Sequence, residues 1–565
     1  MTTRTIKLLC GGAAVAVLCC GVAKAEYSET VVGSQLIVNV DKGDSKEITD
    51  AFPAGVTSFL KTGEGTLTIS SANAKLSGDA EIREGIVVIK HINALGRMSG
   101  EWDSIATRLN KLKSGGAIIV KKDAQLQVQT KKVEQWNYAV YKRLVLNGTG
   151  PDGTGAVALK CTDVWANMDH FLAYVELGSD ASVICSANTR YGLDYTDLKG
   201  HELTIQNNYQ FFMSASSHQS AGTIRSKISN LYLSGTASFA GGAEGKLIVE
   251  GDRTVTYTDA TSVFPWTLEV PSGSTCSLSY KGAWTAAGKN RFTGPLKIDG
   301  TLNLNGSTAK SSIRFEGAAA ASAETGHINV GVGRAEFPQP ETLPNYAVAG
   351  YVKVSSSTGA LVLPVGDGQW DAESFAAAAN AVAYVDPSSK LLAVTDEDET
   401  FAVAADISGT HLEHEGAGTF AFSGGIRDDG TTRLKNWGPG LFKVTGEKLR
   451  YLRYLDAVAG TMLFEDAGTV RDGSASSTQS WAEWKVGANG VTNETPAKVV
   501  LKGKTVFDAT VSDATGGFTV GTTAPQGAIL EVRDGAALTN GFQVGSAANS
   551  KGAIHQYGGS VRLVT

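Results

Sequence analysis

The stretch that decides the fold is Lys61-Thr62-Gly63-Glu64-Gly65-Thr66-Leu67-Thr68-Ile69-Ser70. Two glycines, one residue apart, lead into an apolar–polar alternation. That alternation is what a half-buried strand requires, because successive side chains face opposite sides. The glycines supply the turn before it. The pattern has echoes at His414-Glu415-Gly416-Ala417-Gly418-Thr419-Phe420-Ala421-Phe422-Ser423 and at Lys435-Asn436-Trp437-Gly438-Pro439-Gly440-Leu441-Phe442-Lys443-Val444. After the first copy comes Gly85-Ile86-Val87-Val88-Ile89, and after the third Gly460-Thr461-Met462-Leu463-Phe464. Both read as a further strand stacked on the next turn of a solenoid. Similar short strands occur at Ile118 to Lys121, Leu126 to Val128, Leu203 to Ile205, Leu302 to Leu304 and Ile529 to Val532. Self-similar segments with a glycine at each corner are how a β-helix is written, since each coil leaves apolar surface exposed until the next covers it.

Composition agrees. The 565 residues include 66 Gly and only 13 Pro, without the every-third-residue glycine of collagen. Hydrophobic residues at 42% argue against long-range disorder. A formal net charge of −6 argues against nucleic acid as the main partner.

The residues of the first repeat resemble the autotransporter-associated β-strand repeat of bacterial passenger domains. Lys61 to Ser71 matches its Lys-x-Gly-x-Gly-Thr-Leu-x-Leu-Ser opening, and Asn93-Ala94-Leu95-Gly96 matches its close. Leu144 to Gly150, Gly200 to Thr204, Gly300 to Gly306 and Leu530 to Ala536 are similar in style. The resemblance implies a right-handed parallel β-helix at the cell surface of a diderm bacterium. Autotransporters end in a membrane β-barrel, whereas Gly559-Ser560-Val561-Arg562-Leu563-Val564 reads as an ordinary coil strand. The chain is therefore expected to leave the cell by another route, to stay periplasmic, or to be a piece of a longer protein.

The first 25 residues read as a signal peptide. Arg4 and Lys7 precede an apolar run from Leu8 to Val22, and Ala23-Lys24-Ala25 is a cleavage site that would leave Glu26 first. Cys19 and Cys20 suggest a lipoprotein as the rival reading, but no small residue stands in the required place before the Cys. No later run is long and apolar enough for a membrane helix. Export to an oxidising compartment makes a disulfide conceivable among Cys161, Cys185 and Cys276. Cys161 and Cys185 are 24 residues apart, on the order of one coil. They are expected either to bridge neighbouring coils or to stay as two buried thiols in a stacked ladder.

Two segments interrupt the pattern. Asp103 and Ser104 can cap a short helix with Ile105, Leu109 and Leu112 on one face and Gly115 as its stop. Asp371 can cap another over Ala372 to Ala383. The reading thus gives a signal peptide (1–25), an N-terminal cap (26–56), a first β-helix block (57–314), an Ala-rich irregular segment or linker (315–405) and a second block (406–565).

Candidate chemistry is sparse. The run Asp163 to His170 is similar to the Trp-x-Asp-His run of β-helical pectate lyases, with its Trp-to-Asp spacing wrong by two. Arg427-Asp428-Asp429-Gly430 offers paired carboxylates, but at an expected turn. Asp396-Glu397-Asp398-Glu399 and Asp367 to Glu373 carry acids without calcium-loop spacing. His411 and His414 would face opposite sides of a strand and so not share a metal. Trp102, Trp136, Trp165, Trp266 and Trp284 could stack on sugars or fill the interior. No catalytic, cofactor or metal residue is assigned. The expected role is that of an exported, non-catalytic structural or adhesive protein meeting a polysaccharide or a cell-surface ligand. The alternative is a polysaccharide lyase or glycoside hydrolase on the same fold, distinguished by acids and a base on one face of adjacent coils.

Overall fold

The computed structural model describes residues 7–8, 27–100, 103–129, 139–160, 172–185, 190–233, 238–239, 242–259, 261–283, 288–386, 389–407, 411–426, 432–471, 483–487, 496–508, 517–521, 527–539, 542–544 and 551–562. The protein is 55% strand and 6% helix and forms a parallel β-helix, with about 18 turns in all. It divides into two compact units, Met1–Leu278 and Ser279–Thr565. Among the described residues no helix is long and apolar enough to cross a membrane.

The first described strand, Lys7–Leu8, pairs in parallel with Tyr27–Val32, which forms an antiparallel hairpin with Gln35–Val40. Coiling has already begun within this N-terminal cap. Gln35–Val40 pairs in parallel with Ser58–Thr62, and Ser45–Ile48 with Thr66–Ile69. From there strands stack in register, so equivalent residues form columns: Leu67, Val87, Leu126, Val157 and Val183 follow one another through five coils. All are at most 2% exposed. Each such side chain contributes roughly 1.5–3 kcal/mol of burial, and the column is what holds one coil to the next.

The glycine grammar has a direct cause. Coils lie about 4.8 Å apart. A Cβ on Gly65 would fall 2.2 Å from the Asp41 carbonyl oxygen, and one on Gly85 2.5 Å from that of Gly65. Gly460 repeats the arrangement, its Cβ position 2.5 Å from the Gly440 oxygen and 2.6 Å from that of Gly438. Both Gly85 and Gly460 also sit at positive φ, +67° and +59°. The two sequence echoes are therefore one backbone corner built twice.

The first helix, α1, spans Ile105–Ser114, with the Ser104 hydroxyl accepting from the Thr107 N–H and Gly115 at its end. Leu109 and Leu112 pack on the outside of the coils against Tyr141, Tyr174 and Tyr195. In the second unit α2 spans Ala372–Ala381, capped by Asp371 accepting from the Ser374 N–H at 2.7 Å. It ends two residues earlier than its Ala run suggested, because Val382 turns extended.

Two features depart from the sequence reading. The contact boundary falls at Leu278/Ser279. The stretch 315–405 is also not an irregular linker, since His327–Val330, Gly333–Glu336, Val352–Val354, Gly359–Pro364, Lys390–Thr395 and Thr400–Val403 continue the parallel coils. Most of these strands are short. Gly359–Pro364 is buried on both faces, which erases the alternation by which strands are recognised.

In the second unit one sheet runs through Gly359–Pro364, Lys390–Thr395, His411–Gly416, Arg433–Asn436, Tyr454–Ala457 and Glu483–Val486. Its inward column is Leu391, Leu412, Leu434, Leu455 and Trp484, all at most 1% exposed. A second sheet stacks Phe401, Phe420 and Phe442, with ring centroids 5.8 and 5.3 Å apart.

Candidate functional site

Several sequence candidates lie outside the described residues: Cys161, the run Asp163 to His170, Arg427 to Gly430, and Trp102, Trp136, Trp165 and Trp284. Cys185 is buried opposite Leu159, two positions before Cys161. Burial pushes the thiols of Cys185 and Cys276 up, that of Cys276 to about 12. Trp266 is fully buried, as are Trp370 and Trp484. Asp371 is used as a helix cap. Asp396 and Glu399 close a tight turn, the Glu399 N–H donating to the Asp396 carbonyl. Among the described residues no group of three or more His, Cys, Asp or Glu is placed to hold a metal ion.

The interior carries a polar element that the sequence did not announce. When the three echoes are aligned on their glycines, Lys61, His414 and Asn436 occupy the same position, and all are fully buried. Lys61 Nζ donates to the carbonyls of Thr62, Gly63 and Glu84 at 2.9, 2.6 and 3.3 Å. Asn436 Nδ2 donates to those of Gly440, Ala459 and Thr461 at 3.1, 3.0 and 3.3 Å. Glu84 and Ala459 are equivalent, each preceding the glycine of the following coil. The donors satisfy corner carbonyls that turn away from the ladder. His414 links the column, with Nε2 2.8 Å from Thr395 Oγ1 and Nδ1 2.8 Å from Asn436 Oδ1. Because that Asn oxygen can only accept, Nδ1 carries the proton and Nε2 accepts from the Thr395 hydroxyl. Burial pulls the Lys61 ammonium down to about 8 and the His414 imidazolium to about 4. These groups are sealed inside and serve the fold.

The outer face of the same sheet is different. Register places Leu392, Glu413, Lys435 and Asp456 side by side on consecutive coils, pointing away from the core. Leu392, Ala360 and Val362 make an apolar floor on which Val394 and Trp437 rest. Glu413, only 1% exposed, accepts from the Trp437 indole N–H through Oε2. Lys435 lies 3.7 Å from the centroid of the Trp437 ring and 2.9 Å from Asp456 Oδ2. Arg334 reaches across three coils to Glu415 at 2.8 Å. Arg433 stands over Tyr454, 4.5 Å from its centroid. Three buried polar atoms on this face lack a hydrogen-bond partner: Glu413 Oε1, Arg433 Nε and Asp456 Oδ1. Buried polar groups are normally paired, by protein or by ordered water.

A concavity of the same unit, about 640 Å³, is lined by Asn380, Asp406, Gly425, Glu447, Lys448 and Arg450. Its Asp406 carboxylate accepts from the Gly425 N–H and from Lys448, which together hold its pKa below the usual carboxylate value. That acid is already engaged within the corner.

No family model, no curated protein and no solved structure matches this chain.

Proposed function

We propose that the chain is an exported, non-catalytic surface or extracellular protein of the autotransporter-passenger type, structural or adhesive in role, which meets a glycan through the outer face of Lys390–Ala457. The signal-peptide pattern at 1–25 and the Lys61 repeat support export and surface placement. The observation that carries the glycan reading is the group of charged side chains, Lys390, Glu413, Arg433 and Lys435, set against the Trp437 and Tyr454 rings on one face. Sugar hydroxyls both donate and accept, so they suit a mixture of carboxylate, guanidinium and ring edges. Long parallel arrays also lend themselves to extended partners. The test is to screen the purified protein against a glycan panel while monitoring for chain cleavage. Binding without products is the expected outcome. Reproducible turnover would overturn the non-catalytic role, and absence of glycan binding would overturn the adhesive one.

The specific observation favouring the enzymatic alternative is that Glu413 and Lys435 stand opposite each other on adjacent coils of this face, an acid beside a base. Against it, Lys435 is held by Asp456 and by the Trp437 ring.

A further inference from the structure

We propose that the glycan taken at this face is anionic, and that Lys390 and Arg433 receive its carboxylate or sulfate groups. The inference rests on the glycan-binding reading above. Most cations of the second unit's coils are neutralised where they stand: Lys435 by Asp456, Arg334 by Glu415, Lys443 and Lys502 by Glu465. Lys390 and Arg433 have no carboxylate partner among the described residues. Each is instead set against an aromatic ring, Lys390 Nζ 5.5 Å from the centroid of Trp437 and Arg433 over Tyr454. A ring orients a cation without cancelling its charge, which leaves the charge available to a ligand. Guanidinium donors match carboxylate and sulfate oxygens in geometry as well as charge.

Their spacing adds a length scale. Leu391 pairs with Leu412 and His411 with Arg433, so Lys390 and Arg433 flank the strand His411–Gly416 at one register position. Two strand spacings separate them, roughly 9.6 Å along the stacking direction. An extended polyuronide bearing acids on alternate sugars along one side would present them at a comparable interval. The attraction is local, since the whole chain carries a net charge of −6. His411 occupies the position between the two cations, and Glu413 lies two residues further along the same face of that strand.

The experiment uses the full chain with two probes, polygalacturonate and the same polymer with its carboxylates reduced to alcohols, measured by calorimetry at two salt concentrations. Polygalacturonate is expected to bind, and more weakly at high salt. The reduced polymer is expected to bind about tenfold or more weaker. The double variant Lys390→Gln, Arg433→Gln should lose about the same factor and most of the salt dependence, with an unchanged melting temperature. Equal affinity for both polymers, or full affinity in the double variant, overturns the anionic assignment. If a neutral glycan binds and Trp437→Ala abolishes it, the glycan reading survives that failure. Failure of uronate, sulfated and neutral glycans alike removes both.

Discussion

His414 sits in the core as a neutral base, and its environment fixes what acid will do to the fold. Its folded pKa of about 4 lies below the ordinary value of 6.5. Between those values the unfolded chain binds the extra proton and the folded one does not, so stability is lost as pH falls from 6.5 towards 4. The loss is on the order of 3 kcal/mol at full protonation of the unfolded state. Replacing His414 by Gln, which can still accept from Thr395 and donate to Asn436, should flatten the melting-temperature profile between pH 6.5 and 4.5. A steep profile in His414→Gln would show that the acid sensitivity arises elsewhere. The glycines provide a second test at this scale. Gly418→Ala places a Cβ 2.0 Å from the Asp396 carbonyl oxygen. Backbone must separate to admit it, at a cost of about 3 kcal/mol or more. Gly200→Ala, at φ +80° with no atom within 4 Å of the new Cβ, should cost about 1 kcal/mol from backbone strain alone. Equal urea midpoints for the two variants would refute stacking as the reason for the corner glycines.

At the scale of the element, strands are joined side to side by columns of identical chemistry. Phe420 touches Phe401, Phe442, Phe375 of α2 and the His414 ring. Phe420→Ala is expected to cost about 3–5 kcal/mol, the usual toll of an aromatic cavity, while Phe420→Leu should cost much less; urea titration of both variants checks this. Here the limits of the sequence can be stated in physical terms. The glycine corners, the alternating strands and both helix caps are local, and Ser104, Gly115 and Asp371 all stand where local reasoning puts them. The columns are not local. Thr400 meets Thr419, Thr419 meets Leu441 and Thr461 meets Lys498, so coil length varies from step to step. The juxtaposition of Glu413, Lys435 and Asp456, and that of Lys390 with Arg433, depends on this register and on no fixed spacing. The buried role of Lys61 was hidden for another reason: a lysine beside glycines reads as a turn residue until the carbonyls it must satisfy are located.

Across the whole molecule, charge is arranged in ladders that tie successive coils. Arg225 lies between Glu202 and Glu250, with Lys227 also on Glu250. Glu465 receives Lys443 and Lys502, which hold its pKa down to about 2. Such half-exposed pairs add little singly and more as networks. Since each coil meets chiefly its neighbours, stability in each unit accrues coil by coil rather than from one centre. Hydrogen exchange should therefore show that Gly418→Ala lowers protection for the strands Lys390–Thr395 through Thr461–Glu465 and leaves Thr66–Ile69 and Gly85–Ile89 in the first unit unchanged. Uniform loss across both units would argue for a single cooperative body.

The parallel register also sets how the protein responds to tension. Ladder hydrogen bonds run along the stacking direction, so a pull between the ends of a stack loads them a few at a time, strand after strand, instead of shearing many together. A coil of roughly 20 residues, once freed, pays out about 70 Å of chain. Under load such a stack would yield in short repeated steps, absorbing work coil by coil. In single-molecule pulling this would be read as a regular sawtooth with one tooth per coil.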